Sequence, residues 1–203
     1  DSSFNQTNLE QVRSPSQIEL NTLLEHYQNG RYDQLENLAL DMTRKYPDHQ
    51  FGWKALGAVY KQLGRLTEAI SANQIAVELY PKDSEAHNNL GITLNNLGRQ
   101  EESEVSLRRA ITIKPEFAEA HNNLGSTLHE LGRLEEAVTS YRKAISIKPK
   151  YAEAHSNLGA SLHELGRLGE AVTSCRKAIS INPDYAEAHN NLGNTLEALG
   201  RYE

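Results

Sequence analysis

A fixed spacing of 34 residues runs through almost the whole sequence. Proline recurs at this interval at Pro47, Pro81, Pro115, Pro149 and Pro183. Gly-Arg pairs recur at the same interval, with their glycines at Gly30, Gly64, Gly98, Gly132, Gly166 and Gly200. A repeated unit of this size cannot bury its apolar face alone, so neighbouring units must stack. The spacing therefore predicts a solenoid rather than a single globular core.

Each unit predicts two helices joined by a short turn, as the unit 118–151 illustrates. Leu124 and Leu128 are spaced to share one face of a first helix. We expect Gly132 to end that helix, because glycine adopts a left-handed backbone conformation without a steric penalty. A second apolar helical face follows, and Pro149 stops it because proline cannot continue a helix.

The repeated pattern resembles the tetratricopeptide repeat, a helix–turn–helix unit of about 34 residues. The unit 50–83 carries that signature in Trp53, Leu56, Gly57, Tyr60, Ala69, Ala76 and Pro81. Later units replace the tryptophan by His87, His121, His155 and His189, which we interpret as half-buried rings wedged between helices. The resemblance implies an all-α fold, a right-handed superhelical solenoid of antiparallel helix pairs. It also implies a protein-binding function without catalysis.

The predicted domain organisation is a flexible leader at residues 1–15 followed by a repeat array at residues 16–203. The array divides into units 16–49, 50–83, 84–117, 118–151, 152–185 and a partial unit 186–203. The first unit is degenerate, because Leu23 stands where later units have glycine. Ser16 and Glu19 have the spacing of a capping box that begins its first helix.

The charge balance argues against two classes of partner. Lys and Arg number 21 against 27 Asp and Glu, so the formal charge is −6. A nucleic-acid-binding protein needs a basic stripe, and no apolar run approaches the ~20 residues of a membrane span. The single Cys175 rules out an internal disulfide and fits a reducing, cytoplasmic location. We expect protein or peptide partners, no nucleic acid, no membrane, no cofactor and no metal.

In the resembling family the first helix of each unit lines the concave surface, where ligand peptides lie. Stacking then aligns equivalent residues into columns. The candidate peptide-binding residues are the asparagines Asn89, Asn123, Asn157 and Asn191, the neighbouring Asn88, Asn122 and Asn190, the glutamates Glu85, Glu119, Glu153 and Glu187, and the histidines His129 and His163. Ala55 interrupts the asparagine column, so an amide-lined groove should begin after the unit 50–83.

The asparagine column is similar to the ladder in the superhelix of O-linked N-acetylglucosamine transferase, whose amides bind the backbone of an extended substrate. An amide carries donors and an acceptor, so it can pair with any peptide unit. Stabilisation of neighbouring helices by the same amides is an equal alternative. The glutamates favour a basic ligand. For His129 and His163, a solvated face is the simpler interpretation and a bridging metal the alternative.

Three functions are open from the sequence. The first is a peptide- or protein-binding scaffold. The second is the substrate-presenting arm of a larger enzyme such as a glycosyltransferase, for which the interrupted last unit would be a fragment boundary. The third is a self-assembling scaffold that associates through an apolar strip on the last helix at Ala188, Leu192, Leu196 and Leu199. The chain has no phosphate-cradling loop or nucleophile elbow, so we do not expect an enzyme.

Overall fold

The computed structural model describes residues 14–200, and residues 1–13 of the predicted leader lie outside them. Within residues 14–200 there are eleven α-helices and no strand, as the repeat pattern predicted. The helices are α1 (Gln17–Gln28), α2 (Tyr32–Lys45), α3 (Gln50–Gln62), α4 (Leu66–Leu79), α5 (Ser84–Asn96), α6 (Gln100–Ile113), α7 (Ala118–Glu130), α8 (Leu134–Ile147), α9 (Ala152–Glu164), α10 (Leu168–Ile181) and α11 (Ala186–Ala198). Each helix packs mainly on its neighbours in the sequence, which makes an all-α solenoid.

The Gly-Arg pair forms the turn inside each unit, and at Arg65, Arg133 and Arg167 it also contacts the preceding unit. Gly132 has a φ of 73°, in the left-handed region that favours glycine. The next residue, Arg133, donates from Nε to Glu136 at 2.7 Å and from Nη1 to Glu104 of the preceding unit at 2.6 Å. Arg65, two units earlier, makes the equivalent contacts with Glu68 and with Glu36 of its preceding unit. One dipeptide therefore sets both the turn and the stacking.

A glycine in the first helix lets the two helices of a unit approach closely. A Cβ added at Gly125 would lie 2.5 Å from Cε1 of Tyr141, and one at Gly91 would lie 2.6 Å from Cγ of Leu107. Both distances are too short for a real carbon contact. The large residue on the second helix thus fills the space that the glycine leaves, and the core is built from such pairs.

In the first unit, the small and the large residue of this pair are exchanged between the two helices. Leu23 stands at the glycine position, and Ala39 stands where Tyr141 and Leu107 stand in later units. Leu23 is 2% exposed and Ala39 is fully buried. Even so, α1 and α2 contact each other less than the two helices of any later complete unit. A leucine between two helices holds their axes farther apart than a glycine does.

The histidines that replace tryptophan keep one of its hydrogen bonds. Nε1 of Trp53 donates to the carbonyl oxygen of Pro47 at 3.0 Å. Nε2 of His121 makes the same bond to Pro115 at 2.9 Å. The equivalent bonds join His87 to Pro81, His155 to Pro149 and His189 to Pro183, at 3.1, 3.1 and 2.8 Å. Because a carbonyl oxygen only accepts, each ring carries a proton on Nε2. The ring therefore ties the first helix to the loop before it.

The predicted capping box at the start of α1 is confirmed. The amide of Glu19 donates to Oγ of Ser16 at 3.3 Å, and the amide of Ser16 donates to Oε2 of Glu19 at 2.7 Å. Lys45 also donates to Oε1 of Glu19 at 2.7 Å. The bonds from Lys45 and Ser16 lower the pKa of the Glu19 carboxyl to about 2.

The apolar strip expected on α11 is narrower than the sequence indicated. Ala188 is fully buried and Leu196 is 8% exposed, while Leu192 and Leu199 are half-buried. Half of the predicted strip is thus used in packing within residues 14–200. Self-association through this helix stays a prediction.

Candidate functional site

The candidate site is the surface that the first helices α1, α3, α5, α7, α9 and α11 share. We call it the groove, and define it by the positions equivalent to Glu119, Asn123, Ser126 and His129 in each unit. Residues from α1, α3 and α5 line one common cavity, so these first helices do present one continuous face. The groove divides into two parts of different chemistry.

The later part, which we call the amide segment, consists of Asn89, Asn123, Asn157 and Asn191, all half-buried. Nδ2 of Asn123 donates to Oδ1 of Asn88 at 2.9 Å, and Nδ2 of Asn157 donates to Oδ1 of Asn122 at 3.2 Å. Each of these bonds joins a first helix to the first helix before it. The bonds therefore fix the orientation of the amides.

Asn191 is held in a similar way, because its Nδ2 donates to Oγ of Ser156 at 3.1 Å. Within residues 14–200, the side-chain oxygens of all four residues of the amide segment accept no hydrogen bond. A half-buried acceptor of this kind is satisfied by an N–H donor. The segment thus presents four acceptors spaced by the repeat, and those of Asn123, Asn157 and Asn191 are oriented by bonds between units.

Two residues expected to contact a ligand support the groove from beneath. Asn88 is 6% exposed and Asn122 is 1% exposed. Nδ2 of Asn122 donates to Oε1 of Glu153 at 2.9 Å, while its Oδ1 accepts from Asn157. Their burial, and the bonds that their side-chain oxygens accept from the next unit, do not favour ligand contact at Asn88 and Asn122, which stays a prediction. Asn190, the third member of that column, is exposed.

The glutamate column is partly neutralised. Nζ of Lys54 lies 3.0 Å from carboxylate oxygens of both Glu85 and Asp83. Lys148 donates to Glu119 at 2.8 Å, and this bond lowers the pKa of the Glu119 carboxyl. A basic ligand would therefore compete with lysines at these two positions.

The other two glutamates of the column have no cationic partner among residues 14–200. Glu153 accepts from the amide of Asn122, and Glu187 accepts from the hydroxyl of Tyr185 at 3.0 Å. Both glutamates are exposed. The negative charge of the groove is therefore concentrated towards α9 and α11.

The two candidate histidines have separate partners. Nε2 of His129 lies 2.9 Å from Oε1 of Glu164, and Nδ1 of His163 lies 3.2 Å from Oγ1 of Thr195. The alternative of a metal bridging them lacks support, because each ring is bonded to a different side chain. In the part of the chain that the structure describes, no three His, Cys, Asp or Glu side chains are grouped to hold a metal ion.

The earlier part of the groove is apolar. A cavity of about 400 Å³ opens between α1, α3 and α5, with Leu20, Leu24, Tyr27, Phe51, Ala55 and Ala58 in its wall. We call these six residues the apolar pocket. Leu24 is 54% exposed and Phe51 is 37% exposed. Asn89, the first residue of the amide segment, also borders the cavity, so the two parts of the groove are continuous.

Sequence reasoning missed the apolar pocket and treated Ala55 only as a gap in a column. The signal was a change in several columns at once. Phe51 takes the position of the glutamates, Leu24 and Ala58 take the position of Ser126, and Tyr27 takes the position of His129. Comparing all the columns across units, rather than one, would have indicated it.

A second, smaller cavity of about 160 Å³ lies in the groove between α5 and α7. Asn123 and Ser126 border it together with Asn95. Oδ1 of Asn95 is buried and has no hydrogen-bond partner among residues 14–200. The cavity thus places an unsatisfied acceptor beside the amide segment, where a small donor group would fit.

Family models match most of the repeat array. A model described as TPR repeat matches residues 93–132, 125–166 and 159–200, which together cover more than half of the chain. Two models described as tetratricopeptide repeat match residues 74–104 and 20–84. No curated protein matches the chain in sequence. Within residues 14–200, no helix has the length and apolar character needed to cross a membrane.

Solved structures share the fold along most of their length. The chain is 25% identical to a structure of MamA protein, covering 84% of this chain and 93% of that one, with a TM-score of 0.69. The chain is 22% identical to a structure of PilW, a type IV pilus biogenesis factor. The match covers 92% of this chain and 88% of that one, with a TM-score of 0.84. The chain is 20% identical to a structure of YrrB, described as a TPR protein with an unusual peptide-binding site. The match covers 87% of this chain and 91% of that one, with a TM-score of 0.67.

Proposed function

The chain belongs to the tetratricopeptide-repeat family, and on that premise we propose that it is an interaction scaffold whose groove binds an extended peptide or an extended segment of a partner protein. The observation that supports this most is the amide segment. The side chains of Asn123, Asn157 and Asn191 are oriented by bonds between units, and their oxygens still accept no hydrogen bond among residues 14–200. Fixing these side chains beforehand lowers the entropy lost on binding.

The amide segment would read the backbone of the ligand rather than its side chains. Packed helices lie roughly 8–10 Å apart, and an extended chain advances about 3.3 Å per residue. Successive amides would therefore meet about every third residue of the ligand. Each net hydrogen bond contributes about 0.5–1.5 kcal/mol, so four amides together favour modest and sequence-tolerant affinity.

Charge would add a preference at the far end of the groove. Glu153 and Glu187 have no cationic partner among residues 14–200, whereas Glu85 and Glu119 do. Lysine or arginine in the ligand should therefore favour the α9–α11 end. Because these carboxylates are exposed, salt should weaken the preference.

The test is binding of a fluorescein-labelled twelve-residue peptide of alternating serine and lysine, followed by anisotropy. We expect Asn123→Ala to weaken binding about 2- to 10-fold, and Asn123→Ala combined with Asn157→Ala to weaken it further. Asn37→Ala, an exposed asparagine on α2, is the matched control and should change nothing. If the double variant bound as well as the wild type, peptide reading by the amide segment would be wrong.

Two narrower functions stay predictions. They are a substrate-presenting arm of a larger enzyme and a self-assembling scaffold. Neither is favoured over peptide binding by a contact or cavity among residues 14–200.

A further inference from the structure

Exposed apolar side chains are concentrated at one end of the molecule. Ile18, Leu24 and Tyr27 on α1 and Phe51 on α3 are four of the large hydrophobic residues that stay exposed, from 37% to 78%. Three of these four border a concave cavity of about 400 Å³. A concave apolar surface next to polar groups is the usual form of a binding site.

The fold itself does not require apolar residues at these positions. Later units place Glu119, Asn123 and Ser126 at the positions of Phe51, Ala55 and Ala58, on helices of the same length. The helix pairs of those units pack at least as closely. The apolar pocket is therefore not explained by the packing of the repeat. Its exposed apolar side chains have an unfavourable free energy of solvation, which binding of another molecule over them would remove.

The packing of the first unit keeps this surface open. Leu23 holds α1 and α2 farther apart than the glycine of later units would, and it borders the cavity beside Leu20 and Leu35. Leu35 is 1% exposed, so the floor of the cavity is core. A side chain that enters from the groove would meet a preformed apolar wall.

The position of the cavity indicates which molecule would fill it. Asn89 borders the cavity and is also the first residue of the amide segment, so a ligand lying on that segment passes the opening. At the rim, Asp83 and Glu85 share the single ammonium of Lys54. The side chain of Glu85 is 65% exposed, which leaves negative charge beside the opening.

We infer that the apolar pocket anchors one large apolar side chain, such as phenylalanine or leucine, of the peptide whose backbone lies on the amide segment. The inference rests on the proposed function and adds side-chain specificity to it. Recognition would then have two parts, a selective anchor at α1–α5 and a tolerant backbone reader at α5–α11.

The experiment uses labelled twelve-residue peptides of alternating serine and lysine with one guest residue. The guest is phenylalanine or serine, placed third from either end so that both chain directions are sampled. Ala58→Gln fills the apolar pocket with an amide without a change of charge. Ala160→Gln makes the same change at the equivalent position of α9 and is the matched control, since both alanines are half-buried. Melting curves establish that both variants fold.

In the wild type we expect one of the two phenylalanine peptides to bind about 10- to 100-fold more tightly than its serine counterpart. Ala58→Gln should reduce this preference to a few-fold, and Ala160→Gln should preserve it. A second variant, Phe51→Glu with Ala55→Asn, restores the residues of later units. It should abolish the preference while the serine peptide still binds.

Other results would overturn the inference and leave the proposed function standing. Equal binding of phenylalanine and serine peptides, with Asn123→Ala still weakening both, would show that the apolar pocket takes no anchor. A wild-type dimer in sedimentation that Ala58→Gln makes monomeric would show that a second copy fills the pocket. If deleting residues 1–13 were needed before any peptide preference appeared, the chain's own segment would be the occupant. Failure of every peptide to bind would instead contradict the proposed function.

Discussion

The units 16–49 and 50–83 share a helical frame with the units from residue 84 onward, yet their groove surfaces are opposite in character. The first two units present Leu24, Phe51 and Ala58, whereas the later units present Asn123 and Asn157 at groove positions. The frame depends on other residues, namely the turn glycines, the arginines after them and the rings bonded to proline carbonyls. Because the two sets of residues do not overlap, the groove can vary without loss of the fold.

The frame itself also differs between the two regions. In the first unit a leucine faces an alanine across the helix pair, whereas in later units Gly91 faces Leu107 and Gly125 faces Tyr141. Both arrangements bury the contact, but only the glycine lets the helices meet closely. The difference indicates that the residue at the glycine position sets how closely the two helices of a unit pack.

The largest effect is expected from removing the side chain of Leu23, which lies between α1 and α2 in the first unit. Leu23→Ala deletes a side chain that is 2% exposed, so we expect a loss of about 2–5 kcal/mol in the free energy of unfolding. Leu24→Ala removes the neighbouring leucine, which is 54% exposed, and should cost about 0.5 kcal/mol or less. Guanidinium titrations followed by circular dichroism measure both. Similar losses for the two variants would contradict the packing described for Leu23.

The next effect tests the glycine of the later units. Gly125→Ala would place a Cβ 2.5 Å from Tyr141, and overpacking of this kind costs about 1–3 kcal/mol. Gly193→Ala is the matched control in the same column, where a Cβ would meet no atom of residues 14–200 within 4 Å. It should stabilise the protein by up to about 1 kcal/mol, because alanine favours the helix. Thermal unfolding should shift in opposite directions for the two variants.

A smaller effect separates two adjacent asparagines. Asn122→Ala deletes a side chain that is 1% exposed and breaks its bonds to Glu153 and Asn157, so the cavity and the lost bonds together should cost about 1–3 kcal/mol. Asn123→Ala removes a single donor to Asn88 and should cost about 1 kcal/mol or less. Peptide affinity should fall for Asn123→Ala. A greater loss of stability for Asn123→Ala would reverse the roles assigned to the two columns.

The smallest effect is the pH dependence that Glu19 contributes in the first unit. Contacts with Lys45 and Ser16 lower the pKa of Glu19 to about 2 from an ordinary value of 4.5. A carboxyl whose pKa is lower in the folded state stabilises the protein at pH values above its unfolded pKa. This stabilisation is lost as the pH falls through the folded pKa. The stability difference between wild type and Glu19→Gln should therefore be present at pH 7 and shrink between about pH 4.5 and pH 2. Hydrogen exchange of α1 at several pH values measures it, and a constant difference would contradict this linkage.

The fold could be predicted from the sequence because the repeat is marked by residues that have strong local effects on where helices begin and end. Gly132 and Pro149 fix where helices end, and Ser16 with Glu19 fixes where α1 begins. The bond from histidine to the proline carbonyl was also within reach, since the two residues are always six apart. These features depend on one unit at a time.

The groove could be predicted only in part, because its details depend on several units at once. Asn122 and Asn123 are neighbours in the sequence, but one helical step turns the first towards the next unit and the second towards the groove. The cavity at the apolar pocket is lined by α1, α3 and α5 together, and Leu23 borders it as well. Neither feature can be inferred from a single column of equivalent residues.

The most direct measurement is mapping of nuclear magnetic resonance shifts when the phenylalanine-guest peptide is added. It reports side-chain amides of asparagine and methyl groups of leucine and alanine in one titration. The account predicts that the amides of Asn123 and Asn157 and the methyls of Leu24 and Ala58 shift together, while the amide of Asn37 on α2 does not. Shifts confined to the second helices or the loops, with Asn123 and Leu24 unmoved, would contradict binding in the groove.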